Sequence, residues 1–579
     1  MPETSAFRRP VPTVGDTSAA HERSGDPQGW AFDRATIEAL DRVLTSRRDI
    51  RRFRPDPVPD ELVRAIVEAG HAGPSVGHSQ PWRFIVVQDA ALRDRAAAMA
   101  DRSRLWQAAQ LAPQRGQQLL DLKLEGLREA PLGIVVACDR RTPAVGVLGR
   151  ATFHDADMWS CAAAIENMWL TARAHGLGMG WVTLFEPAEL AQLLGLPEGV
   201  ETLGWLCLGW PDERPPSPGL ERLAWSRKLP LDEVVLRDGW PQDDLAAPTS
   251  HLRAPDQDRV VHATDEADDL LTTPGSLGLL DRALNRVEAV RPQGVDGGVL
   301  VLAGADHPVT AHRISSFESH VTHDVMKANV DSQGMGSVAA LGAGLGCLVV
   351  DAGVARPVAG AVAARTDGER GDLVDSDGLT AEDVSLLLER GRALGVDAAQ
   401  QGGLVALGEA GIGNTTVAAA LASALLGLPA EASVGLGTAA DAAMLERKQK
   451  VVGAAVHRWR QRGDHDDPRV ILQSLGGGEF ALLTGVVLGA AHQGAVVVLD
   501  GLATSVAALL AVRLEPAVQG YLVAGQCSRE QAHQEVLTEL GLEPLLTLRL
   551  RSGEGVGACL AVSLLLQGQR MRRLVARTR

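Results

Sequence analysis

Basic charge, paired cysteines and aromatic bulk are what this sequence has least of. Its 579 residues carry 56 Lys and Arg against 72 Asp and Glu, a net charge of −16. Non-specific binding to nucleic acid or to an acidic membrane needs a basic surface, so that balance argues against both and leaves small molecules as partners. The six cysteines (Cys138, Cys161, Cys207, Cys347, Cys527 and Cys559) are scattered without a C-x-x-C pair. Neither a disulfide framework nor a metal site is indicated, and reduced thiols in a cytoplasmic protein are expected. Residues 1–30 lack the apolar core of a secretory signal, and their Pro, Ser, Thr and charge content fits a disordered tail.

Uninterrupted apolar runs are missing as well. Residues 482–512 come nearest, but His492, Gln493, Asp500 and several glycines break them, so two buried elements of an α/β core are expected there instead of a membrane span. With aromatics at 3 %, the 45 % of apolar residues are chiefly small and aliphatic, which suits close helix packing. So long a chain divides into at least two domains.

Residues 241–263, rich in Pro, Asp, Ser and Gln, read as a linker between domains at 31–240 and 264–579. In the first, helical patterns over residues 33–44 and 60–69 alternate with the apolar strands RFIVVQ and GIVVAC, an α+β arrangement. In the second, GVLVLAGAD, GCLVVDAGV, GLVALGEAGIGNTT and AVVVLDGLATS each join a short strand to a small-residue turn. That repetition predicts an α/β, Rossmann-like, mostly parallel sheet with ligand groups at the strand C-terminal ends, accompanied by a small helical subdomain.

Two stretches of the first domain carry chemistry. SRRDIRRFRP concentrates Arg47, Arg48 and Arg51 around Asp49. An arbitrary arginine cluster is usually a solvated face. AGPSVGHSQPW adds Ser75 and Gln80 on a loop held by Pro74, Gly77 and Pro81. Paired guanidinium donors suit a phosphate, and hydroxyl and amide groups suit the edge of a planar ring, so together they suggest a phosphorylated flavin.

In the second domain GEAGIGNTT, residues 408–416, has Gly408 and Gly413 at P-loop spacing, with Thr415 at the hydroxyl position but Asn414 in place of the lysine. A helix N-terminus behind Gly411 and Gly413 binds an anion through backbone N–H groups, and without the lysine a phosphomonoester fits better than a magnesium triphosphate. Glu409 and Glu554 stand in the unobstructed turns GEAG and GEGVG. A single such glutamate more often serves a helix dipole, but two at strand-to-helix turns point to ligand-facing carboxylates.

RRDIR and PSVGHSQPW, with HGLGMGWVTLFEP and LGWPDERP, resemble the nitroreductase-like flavin fold, and within it the oxygen-dependent 5,6-dimethylbenzimidazole synthases, over residues 33–240. The resemblance implies a homodimer that binds reduced FMN at its subunit interface and consumes it with molecular oxygen, reduced by NAD(P)H directly or through a flavin reductase. It implies that Arg47, Arg48, Arg51, Ser75, Gln80, Gly178 and Gly180 bind the flavin. Asp49 would shuttle protons, its alternative being an ion pair to neighbouring arginines, and Thr183 stands where the family commonly has an assisting serine.

GEAGIGNTT, with PGSLG, DAGV, LDG and SGEG at matching intervals, resembles the nicotinate-nucleotide:dimethylbenzimidazole phosphoribosyltransferases over residues 264–570. That family moves phosphoribose from nicotinate mononucleotide to the base, giving α-ribazole 5′-phosphate. The resemblance implies Glu554 as general base with Glu409 assisting from the opposite wall, and Gly411, Gly413, Asn414, Thr415, Lys448, Ser528 and Asp500 on the nucleotide. Ser319 replaces a base-contacting glutamine, Leu436 an arginine, Pro308 a glycine, and Gly525-Gln526 a Ser-His pair.

The product of the first reaction is the substrate of the second, so the two resemblances imply one bifunctional enzyme for the lower ligand of cobalamin. Two rivals stand beside it: an ordinary flavin nitroreductase fused to the transferase, and a C-terminal half that only binds base or ribotide.

Overall fold

Asp33 and Asp89 each end an extended segment and accept hydrogen bonds from the first backbone N–H groups of a helix, at Thr36 and at Ala91 and Leu92. Such caps satisfy donors that a helix leaves open, and they fix where α1 (Arg34–Ser46) and α3 (Ala90–Ala109) begin. The computed structural model describes residue 29 and residues 31–239, 250–435, 442–462 and 466–578. Almost all of the expected tail, residues 241–249 of the expected linker and Leu436 lie outside them. Two compact units result, within residues 26–242 and 243–579. The remaining stretch of the expected linker is not all irregular, because a helix, Gln257–Asp268, begins inside it with Asp256 as its cap.

In the first unit α2 (Asp60–His71) and α4 (Ala156–Ala174) pack against a five-stranded antiparallel sheet. Its strands are β1 (Trp82–Val87), β2 (Leu132–Asp139), β3 (Gly178–Val182), β4 (Val200–Thr202) and β5 (Trp205–Gly209), in the order β1-β2-β5-β3, with β4 also on β2. Ile66, Ile134, Ile165, Met168 and Leu208 form the core between them. A Cβ on Gly133 would lie 2.1 Å from Trp205 Nε1, so the largest buried side chain dictates the smallest residue opposite it.

The second unit is built on six parallel strands. These are β6 (Gly297–Ala305), β7 (Gly346–Gly353), β8 (Val362–Ala363), β9 (Gly403–Ala410), β10 (Val496–Leu499) and β11 (Leu522–Ala524), in the order β11-β10-β9-β6-β7-β8. Apolar clusters fill both faces, as a parallel sheet requires. Residues 482–512 span three buried elements where two were expected. The run takes in most of a helix, Gly478–His492, then β10, then most of another helix, Leu502–Leu514. Among the described residues no helix is long and apolar enough to cross a membrane.

Because the strands run parallel, their C-terminal ends share one edge. That edge gathers Glu409 on β9, Asp500 just after β10 and Gln526 just after β11, where open α/β sheets bind their ligands.

Candidate active sites

On the first unit, Asp49 pairs with Met179 in an isolated bridge, and Ile50 N donates to Met179 O at 3.0 Å. This lays the arginine segment along β3. The approach is close: a Cβ on Gly180 would stand 2.3 Å from Ile50 O, and one on Gly178 2.9 Å from the Ile50 side chain. Arg51 Nη2 donates to Asp49 Oδ2 and, at 3.2 Å, to Trp181 O. Arg48 donates to the carbonyls of Thr45, Arg47 and Pro216. Desolvation raises the Asp49 carboxyl pKa and Arg51 pulls it back, while 44 % of the side chain stays open to solvent.

Two guanidinium nitrogens here, Arg48 Nε and Arg51 Nη1, are buried without a hydrogen-bond partner. Unsatisfied buried donors are costly, and an anionic ligand would satisfy them, so these residues fit a flavin phosphate or a polar flavin edge. Arg47 is turned elsewhere, stacked 4.7 Å over the Trp169 ring and 3.7 Å from Glu166. In the Gly-Pro loop Ser75 Oγ accepts from Gln80 N at 3.1 Å, and Gln80 has a φ of 47°. Among the described residues no hydrogen bond joins that loop to the Asp49–Arg51 segment. Thr183 is exposed just past β3.

On the second unit, Glu409, Asp500, Gln526 and Ser528 line one cavity of about 310 Å3, with Thr415 and Gly553 on its wall. Glu554 N donates to Glu409 O at 3.0 Å. The 552–555 turn therefore folds directly over the end of β9, where Glu409 stands. Glu554 has a φ of 61°, and Gly336 and Gly408 leave room for its backbone. A left-handed non-glycine residue costs on the order of 1–3 kcal/mol and persists only where its surroundings hold it. What holds it here is Asn329 Nδ2, donating to Glu554 Oε2 at 2.7 Å, with Gly336 N at 3.3 Å. Oε2 is thereby fixed, and Glu554 itself is not among the residues that line the cavity, although Ser552 and Gly553 beside it are.

Glu409 accepts from Asn414 Nδ2. Desolvation, followed by the charges of Asp500, Glu479 and Glu554, raises its pKa to about 8, so it carries a proton at neutral pH. Burial raises Asp500 to about 7, against donors that favour its charge: Gln526 Nε2 at 3.0 Å, Gly557 N at 2.8 Å and Gly555 N at 3.2 Å. Asp500 thus ties the first turn of the closing helix, Val556–Leu574, to the end of β10 as well as lining the cavity.

Ser528 N donates to His533 Nδ1 at 2.8 Å, and Ser528 Oγ lies 2.9 Å from the same nitrogen. Nδ1 therefore accepts, and Nε2 carries the proton that Ser505 Oγ receives at 3.0 Å. Burial lowers the His533 pKa to about 4 and keeps the ring neutral.

Several expected residues stand off the cavity wall. Lys448 is buried one turn beyond Leu445, which does line the cavity; desolvation lowers its pKa and the Glu530 charge opposes that. Ser319 Oγ faces Thr310 Oγ1 at 3.2 Å. Gly411 and Gly413 shape the turn before the helix Asn414–Leu426, where Gly413 has a φ of 95°. Sequence reasoning did not single out Asn329. A lone asparagine inside a helix carries no motif, and its two-sided role, donating to Glu554 and accepting from Ser337 N at 2.8 Å, exists only in three dimensions.

A phosphoribosyltransferase family model matches residues 252–578, and a nitroreductase family model matches residues 44–210. The chain belongs to both families. Its nitroreductase unit is 42 % identical over 204 residues to a 5,6-dimethylbenzimidazole synthase of Rhodospirillum rubrum, covering 35 % of this chain and 96 % of the relative. Its phosphoribosyltransferase unit is 42 % identical over 313 residues to a nicotinate-nucleotide–dimethylbenzimidazole phosphoribosyltransferase of Pseudomonas aeruginosa, covering 52 % and 88 %. A solved structure of that transferase from Thermus thermophilus aligns with a TM-score of 0.51 at 33 % identity, covering 55 % of this chain and 97 % of the other.

Proposed function

We propose that this bifunctional enzyme of cobalamin lower-ligand synthesis consumes reduced FMN and oxygen to make 5,6-dimethylbenzimidazole, then transfers phosphoribose to that base from nicotinate mononucleotide. The observation that carries the reading is the presence in one chain of two families whose reactions share an intermediate.

Arg48 and Arg51 would hold the flavin through their unsatisfied guanidinium nitrogens, with Gly178 and Gly180 serving it by letting the Asp49–Arg51 segment lie close along β3. Bound there, reduced FMN supplies both the dimethylated ring that becomes the base and the electrons that oxygen accepts. Asp49, oriented by Arg51, takes up and returns protons. A homodimer is supported by α1, which buries none of its residues while exposing Ile37, Leu40 and Leu44 along one stripe. NAD(P)H, used directly or through a flavin reductase, is the proposed source of electrons.

In the transferase, Glu554 Oε1 takes the proton from one benzimidazole nitrogen while the lone pair of the other attacks ribose C1. The C1–N bond to the pyridinium breaks, its electron pair returns to the ring, and neutral-ring nicotinate leaves. Glu409, protonated beside this turn, donates a hydrogen bond without adding negative charge. Because the leaving group is already cationic, positioning and exclusion of water supply much of the catalysis. Gly411, Gly413, Asn414, Thr415, Lys448 and Ser528 are the proposed phosphate-binding set.

Incubation of the intact chain with reduced FMN, oxygen and nicotinate mononucleotide, followed by mass spectrometry, is expected to yield α-ribazole 5′-phosphate and nicotinate. Flavin recovered unchanged would refute base synthesis. Dimethylbenzimidazole accumulating without ribotide would refute the transfer.

A further inference from the structure

The transferase cavity opens past three arginines. Arg529 and Arg551 line the cavity itself, and together with Arg549 they border the open surface beside it. All three are exposed, and none makes an ion pair or side-chain hydrogen bond among the described residues. Elsewhere arginines are neutralised by carboxylates, as Arg458 and Arg462 are at 2.7 and 2.9 Å from Asp377. Three guanidiniums, unpaired among the described residues and bordering one opening, in a protein of net charge −16, form a local concentration of charge opposite in sign to the whole.

That field answers a need set by the cavity. Its wall carries Glu409, Asp500 and Glu530, and a nucleotide bearing both a phosphate and a carboxylate must come to rest against them. Protonation of Glu409 reduces the repulsion from within, and the rim supplies attraction from without. Fields focused at the mouth of a low-dielectric cleft raise local ligand concentration and capture rate, more strongly for each additional charge on the ligand.

We propose that Arg529 and Arg549, with Arg551, are a capture rim for the anionic nucleotide, and that the rim favours pyridine nucleotides with a ring carboxylate over those with a neutral carboxamide. The inference rests on the transferase reading above. These arginines act on entry and affinity, so they are specificity residues and not catalytic ones.

The test compares the intact wild-type chain with the Arg529→Gln/Arg549→Gln double variant, using dimethylbenzimidazole with either nicotinate mononucleotide or nicotinamide mononucleotide. Ionic strengths of about 0.02 and 0.3 M bracket the screening of an exposed charge. At the lower one, KM for the nicotinate nucleotide is expected to rise roughly 10-fold with kcat unchanged. The rise is expected to be smaller for the nicotinamide nucleotide and to shrink at the higher ionic strength. Arg529→Lys/Arg549→Lys, which keeps the charge, is expected to retain most of the wild-type KM, and an unchanged thermal midpoint shows that the fold is intact. A KM unaffected by the double substitution, an equal rise for both nucleotides, or a lysine pair no better than the glutamine pair would overturn the proposal. If the wild type transfers phosphoribose from neither nucleotide, the transferase reading fails instead.

Discussion

Glu409 holds its proton because burial and four neighbouring carboxylates, those of Asp500, Glu479, Glu554 and Glu530, all penalise its charge. Its ordinary pKa is near 4.5 and its folded value about 8, so between those limits the folded state binds more protons than the unfolded one. Stability contributed through this group therefore falls as pH rises through that window. Glu409→Gln removes the penalty, and denaturant titrations at low and high pH are expected to show the variant gaining on the wild type as the solution becomes alkaline. Transfer is expected to slow, whereas Glu554→Gln should cost about 10²- to 10⁴-fold in kcat as a lost general base. Undiminished turnover in the latter would remove it from that role. The small-residue setting of Glu409 and Glu554 drew attention to both in the sequence, and the structure places Glu409 on the cavity wall, at the end of strand β9 and not in a turn of its own. Asn329 and the Arg529 and Arg549 pair were not legible there, since nothing in their local sequence says which surface they will share.

At the scale of elements, most strands were legible from short apolar runs ending in small residues, and the parallel order followed from their alternation with helices. Residues 482–512 show where that reading fails. A stretch buried on all sides has no period to separate helix from strand, so its divisions come from Gly494, with a φ of 67°, and from the turn at Gly501. The linker reading failed in part for the converse reason: the helix Gln257–Asp268 is polar enough to look irregular. The helix α1 shows clear periodicity, yet its apolar stripe of Ile37, Leu40 and Leu44 stays about half exposed. Leu40→Glu is expected to convert a dimer to monomers in light scattering and to weaken FMN binding in parallel. An unchanged mass would refute that role for the stripe.

At the scale of the whole molecule the two chemistries rest on separate compact units. Asp49→Asn is therefore expected to abolish formation of the base from reduced FMN while leaving transfer to supplied dimethylbenzimidazole unchanged, which paired assays on the full chain would measure. Loss of both activities would show that the units depend on one another.

The strand order of the second unit also bears on how the chain is made. The central strand β6 is flanked by β7 and β9, and β9 lies about 100 residues further along the chain than β6; at about 5–20 residues per second, translation leaves β6 open on that side for roughly 5–20 s. By then the antiparallel first unit has left the ribosome and can fold. The parallel half begins life as an apolar, half-paired sheet. β9 carries Glu409 into place, but β10 and β11, which extend the sheet beyond it and lead to Asp500 and Gln526, follow later still, so the transferase site cannot exist before the last strands are made.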